Sequence, residues 1–401
     1  MNNQTSDVLF QPLELPCGSI LKNRIAKAAM SDSLGDGRGN PTPSQLRLYE
    51  TWAEGGLGLS IVGEVQSTPD YPEKPGNLVL NPNSDFPRFD TLAQMGAKNG
   101  AQLWLQLGHA GAMAHEPISA PKGPSAIDIP GLKCAAMTRE EISGLPPMFA
   151  STATLAKNLG FGGVEIHAAH GFLLSQFLSP LFDQRGDAYG GSIENRMRIV
   201  LEILEEVRSA VGRSFPIGVK LNATDNLEGG LTADEAFAVV SGLDVLEIDL
   251  VNVSGGTYFP GAKSASDGGG KGPYYIEFSK QARQRTNTPL MLTGGVKTLQ
   301  QAAEILSSGA ADIVGLARAM VLYPDLANRW RRGTESQPEF PRFSSTPEGG
   351  VTAWYTMKLT EIVERHEQTA TPDIETALEV YLKRDAERAI VWNTHFGGAT
   401  S

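Results

Sequence analysis

Cysteine is nearly absent from these 401 residues: Cys17 and Cys134 are the only two, and neither sits in a CxxC pair. That argues against a disulfide framework or a zinc finger and suits a reducing compartment. Positive charge is in deficit, with 34 Lys and Arg against 45 Asp and Glu and a formal net charge of −11. Such a balance argues against a nucleic-acid or anionic-membrane surface but leaves room for a local basic phosphate site. No apolar run approaches the ~18 residues needed to span a bilayer. The first seven residues lack the charged-then-apolar pattern of a secretion signal, and the final Gly-Gly-Ala-Thr-Ser is no peroxisomal address. The expectation is a cytoplasmic protein with a small-molecule substrate, no nucleic-acid partner and no membrane, with a homodimer left open.

What the chain does contain is a repeated alternation. Apolar runs bounded by turns fall at Ile25–Met30, Leu57–Val62, Gln102–Leu107, Gly163–Ile166, Ile217–Leu221, Val245–Val253, Pro289–Thr293 and Asp312–Gly315. Helical patterns lie between them. One starts at Pro43-Ser44, one covers Pro87–Asn99, and Glu140–Leu159 should be interrupted or restarted at Pro146-Pro147. Ser192–Val211 is amphipathic, with Ser192 as its N-cap, and Thr232 with Glu235 forms a capping box. Pro273–Thr286, Thr298–Ser308 and a short segment at Arg318–Val321 follow. Eight strands alternating with helices predict an α/β fold, a (β/α)8 TIM barrel, over residues 1–332. Residues 333–401 read as a Pro-rich linker and a C-terminal helical extension packed on the barrel. It has helices at Thr352–Glu367 and Thr371–Trp392, the second with Pro372 in its first position. Leu107–Met137 is long for a loop and predicts its own hairpin or lid. Ser264–Gly272 reads as a mobile loop.

Two of only six histidines, His167 and His170, close the fourth strand in Glu165-Ile-His-Ala-Ala-His-Gly-Phe172. In a parallel barrel chemistry sits at the C-terminal strand ends. Two imidazole N–H groups converging on one oxygen would polarise it and accept developing charge. The alternatives are a pair of surface histidines on a helix, or half a metal site with Glu165. Other strand ends supply Gly63-Glu64, Gln106 with His109 beyond it, and Lys220. They also supply Ser254-Gly255-Gly256, Gly294-Gly295 and Gly315 with Arg318. The last two groups suit a phosphate, since glycines let backbone N–H groups approach an anion and a guanidinium can pair with it; the competing reading is tight turns only. Lys220 and Gln106 lie within apolar strands. A buried lysine needs an anionic partner or a lowered pKa, and a glutamine presents donor and acceptor to a ring edge. A salt bridge with Glu165 or Glu64, and a satisfied core amide, are the structural alternatives.

Taken in order, these segments resemble the Old Yellow Enzyme family of FMN-dependent ene-reductases. Leu21–Met30, Gln106-Leu-Gly-His109-Ala-Gly111, Glu165–Pro180, Asp183–Arg196 and Gly315-Leu-Ala-Arg318 carry the resemblance, which covers roughly Pro12 to Arg332. It implies FMN across the barrel mouth, reduced by NADPH or NADH. Ala29, Met30 and Ser31 would flank the ring, Gly63 and Gln106 would contact it, and Lys220 would lie near its N1–O2 edge. Gly294, Gly295, Gly315 and Arg318 would hold the phosphate. His167 and His170 would be the catalytic pair, binding the substrate oxygen over the ring, with Phe172 and Tyr258 beside the substrate. No metal is expected. Lys220 stands where the family usually has arginine, and Ala29 where it often has proline. Asp187, Tyr189 and Arg196 read as structural, and His109 as packing or substrate contact.

The largest departure is Phe172, where the family commonly places a tyrosine that protonates the substrate carbon. The implied activity is reduction of the activated C=C of α,β-unsaturated carbonyl compounds or of quinones. Tyr258 or Tyr355 are candidate replacement acids. A flavin-dependent isomerase or dehydrogenase is the alternative that Phe172 motivates, and a non-catalytic flavin- or ligand-binding barrel is the alternative from another class.

Overall fold

The computed structural model describes residues 7–262, 272–334, 337–343, 346–364 and 372–397. Most of the expected Ser264–Gly272 loop lies outside the described residues. Eight parallel strands close into a barrel: β1 Ile25–Lys27, β2 Leu59–Gln66, β3 Gln102–Gly108, β4 Gly163–Ala168, β5 Ile217–Asn222, β6 Leu250–Ser254, β7 Leu290–Thr293 and β8 Ile313–Leu316. Neighbours pair in chain order, and β8 returns to β1. Helices cover the outside: α1 Pro43–Glu54, α2 Phe86–Gly96, α3 Leu145–Asn158, α4 Arg198–Val211, α5 Ala233–Leu243, α6 Ile276–Ala282, α7 Leu299–Ser307 and α8 Arg318–Leu322. The expected (β/α)8 TIM barrel is the observed fold.

Local signals explain most element ends. Thr42 caps α1 through a bond from Gln45 N, and Thr232 with Glu235 forms the expected capping box of α5. The pattern over Glu140–Leu159 breaks at Gly144, and α3 restarts with its proline in the first turn, where a missing N–H costs nothing. The Leu107–Met137 segment contains the expected hairpin, Ile127–Ile129 against Leu132–Ala136, joined by Lys122–Gly123.

Several boundaries differ from the sequence reading. Ser192–Val211 divides at Met197, and the Ser192 side chain makes no cap bond. The sixth strand is only Leu250–Ser254, because Val245 is 78% exposed and Glu247 takes a left-handed φ of 51°. Pro372 precedes the N-cap of its helix, Asp373, which accepts from Thr376 N. The first strand stops at Lys27, after which Ser31 makes one isolated bridge to Gly63.

Period-2 alternation decides what enters the barrel. Near the N-terminal strand ends Ala26, Leu59, Ile61, Trp104, Leu250, Met291 and Ile313 form one apolar cluster, with Leu15 and Leu21 from an N-terminal hairpin against it. Lys27 points the other way, under α1. Its Nζ donates to Ile61 O at 2.9 Å and faces the rings of Tyr49 and Trp52 at 5.0 and 4.5 Å. Burial lowers its pKa to about 7.

The C-terminal part forms two helices, α9 Gly350–Glu364 and α10 Ile374–Phe396. The Arg388 guanidinium on α10 donates to Ser33 O in the loop after β1. Asp385 accepts from Ser33 Oγ at 3.4 Å and lies 3.8 Å from Lys74 Nζ. No described helix is long and apolar enough to cross a membrane.

Asp249, just before β6, is fully buried and ties three segments together. Its oxygens accept from Arg208 Nη2 at 2.7 Å, Ile217 N at 2.8 Å and Cys17 N at 2.8 Å. Removing one member of a buried ion pair leaves an uncompensated charge, so Asp249→Ala should cost about 3–5 kcal/mol. A urea melt followed by tryptophan fluorescence checks this; a midpoint equal to that of the unsubstituted protein refutes it.

Candidate active site

Alternation along the strands and the register between them bring the polar residues together. Gln106 on β3 pairs with Glu165 on β4, His167 pairs with Lys220 on β5, and Lys220 pairs with Asn252 on β6. All five are at most 3% exposed. Glu165 accepts from Gln106 Nε2 at 2.6 Å and from Asn252 Nδ2 at 2.7 Å, and Asn252 Oδ1 accepts from Thr293 Oγ1 at 2.7 Å. Charge-assisted bonds of this kind are what make a buried carboxylate tolerable.

Lys220 is different. Its ammonium has a single long contact, to Ala29 O at 3.5 Å. Among the described residues no carboxylate comes within 4 Å of it, although Glu165 and Glu64 act on it from farther away. Burial is the largest influence and lowers its pKa, while the two carboxylates oppose that. The alternative of a structural salt bridge with Glu165 or Glu64 is therefore not what the structure shows; the two act on Lys220 at longer range, and the Nζ keeps free donors.

Lys220 contacts one side of a cradle. A Cβ on Gly63 would lie 3.0 Å from both Ala29 Cβ and Met30 N, so glycine permits the close approach of these two strand ends. Ser31 bridges Gly63, and its Oγ accepts from Asn77 Nδ2 at 3.3 Å. At the far side, Gly294 and Gly295 have φ of 117° and 78°. A side chain on Gly295 would collide with the carbonyl oxygen of Gly272, so packing also demands glycine there. Arg318 opens α8 with its guanidinium 5.7 Å from the Tyr355 ring and with no hydrogen bond to the protein among the described residues.

The histidine pair stands over the opposite part of the mouth, with ring centroids 5.2 Å apart and planes at 87°. His167 Nδ1 accepts from Ala169 N at 3.2 Å, which places the ring proton on Nε2. Burial, then His170 and Lys220, hold its pKa well below the usual histidine range. His170 has a left-handed φ of 62°, uncommon for a residue with a side chain. Asn222 Oδ1 accepts from its backbone N–H at 3.1 Å, and its Nε2 lies 2.9 Å from Ser254 Oγ. Burial, with Lys220, lowers its pKa to about 3. Both rings are thus neutral, with one N–H donor each.

Glu64 comes from the β2 end and is 4% exposed. Its Oε2 accepts from Gln66 Nε2 at 2.9 Å; its Oε1 lies 3.4 Å from His167 Nε2 and has no hydrogen-bond partner. Burial, then repulsion from Glu73, pushes its pKa up to about 8. The sequence reading noted Glu64 only as a partner for Lys220. Its signal was a carboxyl inside an apolar strand, the same signal that singled out Lys220.

Phe172 is buried, its ring 5.1 Å from that of His167 and 5.7 Å from that of Tyr258. Tyr258 therefore does reach the histidine end. Tyr355 does not meet the histidines: its ring neighbours are Arg318 and Trp354. His109 stacks on Tyr71 at 4.4 Å and accepts from Gly111 N at 3.0 Å, a packing role. Asp187 pairs with Arg185, Tyr189 bonds Glu202, and Arg196 binds Leu178 O and Glu235, all structural. No three described His, Cys, Asp or Glu side chains converge as metal ligands.

Residues 8–337 match the profile of the NADH:flavin oxidoreductase / NADH oxidase family. The chain is 33% identical over 386 residues to the NADH-dependent flavin oxidoreductase iliE of Neonectria sp., covering 87% of this chain and 50% of that one. It thus spans about half the length of that relative. It is 32% identical to the NADPH dehydrogenase of Clostridium acetobutylicum, over 80% of this chain and 94% of that one. Among solved structures it is similar to morphinone reductase in complex with tetrahydroNAD, with a TM-score of 0.71 and 26% identity over 82% of this chain and 92% of that one.

The packing role of His109 is testable. His109→Phe keeps an aromatic against Tyr71 but leaves the buried Gly111 N–H without its acceptor, a loss of about 1–3 kcal/mol. Chemical denaturation should show that loss while phenol affinity at the histidine pair stays within twofold. A large drop in phenol affinity would instead put His109 in the binding site.

Proposed function

The chain belongs to the NADH:flavin oxidoreductase / NADH oxidase family, and from that premise we propose that it is an FMN-dependent oxidoreductase that uses NADH or NADPH to reduce activated C=C bonds of α,β-unsaturated carbonyl compounds, or quinones. The observation that carries this reading is the Lys220 ammonium, buried at the barrel mouth without a carboxylate in contact and level with His167. A site built this way calls for an anionic or electron-rich partner, and the N1–C2=O edge of a flavin fits it. Gln106, whose amide N–H is committed to Glu165, keeps its carbonyl oxygen for a ring N–H. The unpartnered Arg318 guanidinium suits a phosphate. FMN, when bound, supplies a ring nitrogen that takes hydride from the nicotinamide and passes it to the acceptor.

The chain's own residues do the rest. Ala29, Met30, Ser31 and Gly63 would wall the ring of FMN, and Lys220 would stabilise negative charge at its N1–O2 edge. His167 Nε2–H and the His170 ring hold the acceptor's oxygen. They draw electron density from the double bond and make its far carbon electrophilic. Because both rings are neutral, they bind the oxygen as hydrogen-bond donors rather than as cations. Phe172 and Tyr258 form an aromatic wall beside the histidine pair. The Neonectria and Clostridium relatives' names support both nicotinamides as reductants. Phe172 also favours a second reading, isomerase or dehydrogenase chemistry on the same site, because a phenyl ring supplies no proton.

Purified protein should be yellow and release FMN, not FAD, on denaturation; a colourless protein that does not take up FMN overturns the proposal. Arg318→Ala should weaken FMN strongly, because each charge-assisted phosphate contact contributes about 1.5–3 kcal/mol. Equilibrium dialysis of the stripped protein reads this directly.

A phenol that mimics an enolate should bind over the oxidised flavin and give a long-wavelength charge-transfer band. His167→Ala and His170→Ala should each weaken that binding by roughly tenfold, the worth of about one charge-assisted bond, with FMN content retained. Survival of the band at full affinity in both variants excludes the pair as the oxygen site.

A further inference from the structure

Reduction of a C=C bond needs a proton as well as a hydride, and the position two residues after His170 offers none. The groups around the reacting end can be searched one by one. Phe172 has no exchangeable proton. The His167 N–H is committed to the acceptor's oxygen, and His170 has a hydroxyl, Ser254 Oγ, at 2.9 Å. Lys220 shares the strand face of His167 but holds its Nζ against Ala29 O, at the edge assigned to the ring's N1–O2. Tyr258 closes the aromatic wall but is 62% exposed, at the solvent edge of the mouth. Of the two buried carboxyls at the mouth, Glu165 has both oxygens occupied by Gln106 and Asn252, whereas Glu64 has one oxygen free. Glu64 projects from the end of β2, next to the ring-wall residue Gly63, and its Oε1 sits 3.4 Å from His167 Nε2 with no hydrogen-bond partner.

We propose that Glu64, buried in the barrel mouth beside His167, is the general acid that delivers the proton to the substrate carbon next to its activating group, in place of the tyrosine missing at position 172. This inference rests on the ene-reductase reading above. Because Oε2 already accepts from Gln66 Nε2, the acid proton belongs on Oε1, the oxygen beside His167. The groups that face this carboxyl are His167 from β4, Lys220 from β5, Glu73 from the loop after β2, Gln66 from β2 itself and Tyr258 from the loop after β6. Burial and the Glu73 charge favour the neutral acid, while Gln66 and Lys220 favour the carboxylate. On balance its pKa is pushed up to about 8, with burial the largest cause.

The step balances simply. Reduced nicotinamide supplies two electrons and one proton as hydride, which forms the new C–H bond at the carbon remote from the activating group. The C=C π bond breaks, and its electron pair moves to the adjacent carbon and the oxygen held by the histidines. That carbon takes the proton from Oε1, and the Glu64 carboxylate is reprotonated from solvent. Lys220, which acts on Glu64 through space, keeps the transient carboxylate tolerable in the buried site.

The test uses FMN-loaded protein, reduced anaerobically and then mixed with cyclohexenone or with benzoquinone, whose protons are taken up on oxygen. Glu64→Gln should slow reoxidation by the enone by roughly 10²–10⁴-fold, the usual contribution of a general acid, and so lower the enone-to-quinone rate ratio by that factor. Adding Phe172→Tyr to Glu64→Gln should restore at least tenfold of the enone rate, since the new phenol enters beside His167. Infrared difference spectra should show a protonated-carboxyl band at neutral pH that disappears in Glu64→Gln. An unchanged enone rate, equal slowing of both acceptors, or absence of that band overturns the proposal. If the unsubstituted protein reduces neither acceptor, the functional reading fails, and the infrared band separately decides whether Glu64 holds a proton.

Discussion

One end of this barrel buries an ammonium, two carboxyls and the His167 imidazole, with His170 half-buried beside them, and each buried group must lose its hydration without being left uncompensated. Glu165 does so through short bonds from Gln106 and Asn252. Burial lowers the pKa of both histidines and raises that of Glu64, and Lys220 relies on carboxylates that attract it without touching it. The four solutions depend on one another. A charged histidine would repel Lys220, and an ionised Glu64 beside Glu73 would add a second like charge. The result is a mouth in which neutral donors sit beside a cation that no carboxylate touches among the described residues.

That arrangement is braced from outside the barrel. Lys27 ties β1 and β2 beneath α1. On the far side of the same loop, Asp32 accepts from Gln45 and Tyr49 of α1, and Ser33 is held by Asp385 and Arg388 of α10. The segment carrying Ser31 is therefore fixed from two helices at once. At β4, the chain turns back through His170 and Gly171 in left-handed conformations, and Asn222 and Thr257 hold that turn. Bracing matters because hydrogen-bond polarisation falls steeply with misplacement.

The fold was largely legible. Strand runs such as Ile217–Leu221 and Gln102–Leu107 are apolar because both faces of a barrel strand are covered, and caps such as Thr232 carry their own local chemistry. Boundaries failed where tertiary contacts override local pattern. Val245 continues an apolar run in sequence yet lies in an exposed turn. Met197 interrupts an amphipathic helix whose periodicity runs straight through it. In the site, Lys220, Gln106 and the histidines stood out as polar residues at apolar strand ends. Glu64 and Lys27 carried the same mark, but nothing local distinguishes a lysine that faces inward from one under a helix.

The sequence by itself determined the barrel, the strand ends at which chemistry could occur, and the absence of a phenol at position 172. Those properties are written in short-range periodicity and residue type. Only the tertiary structure decided which groups face one another. It put Tyr258 rather than Tyr355 beside Phe172, gave His167 its Nε2 proton through Ala169 N, and set Glu64 Oε1 against His167. Such relations arise between strands from parallel register, and the raised pKa of Glu64 arises from burial summed over the whole mouth. No window of the chain contains either quantity.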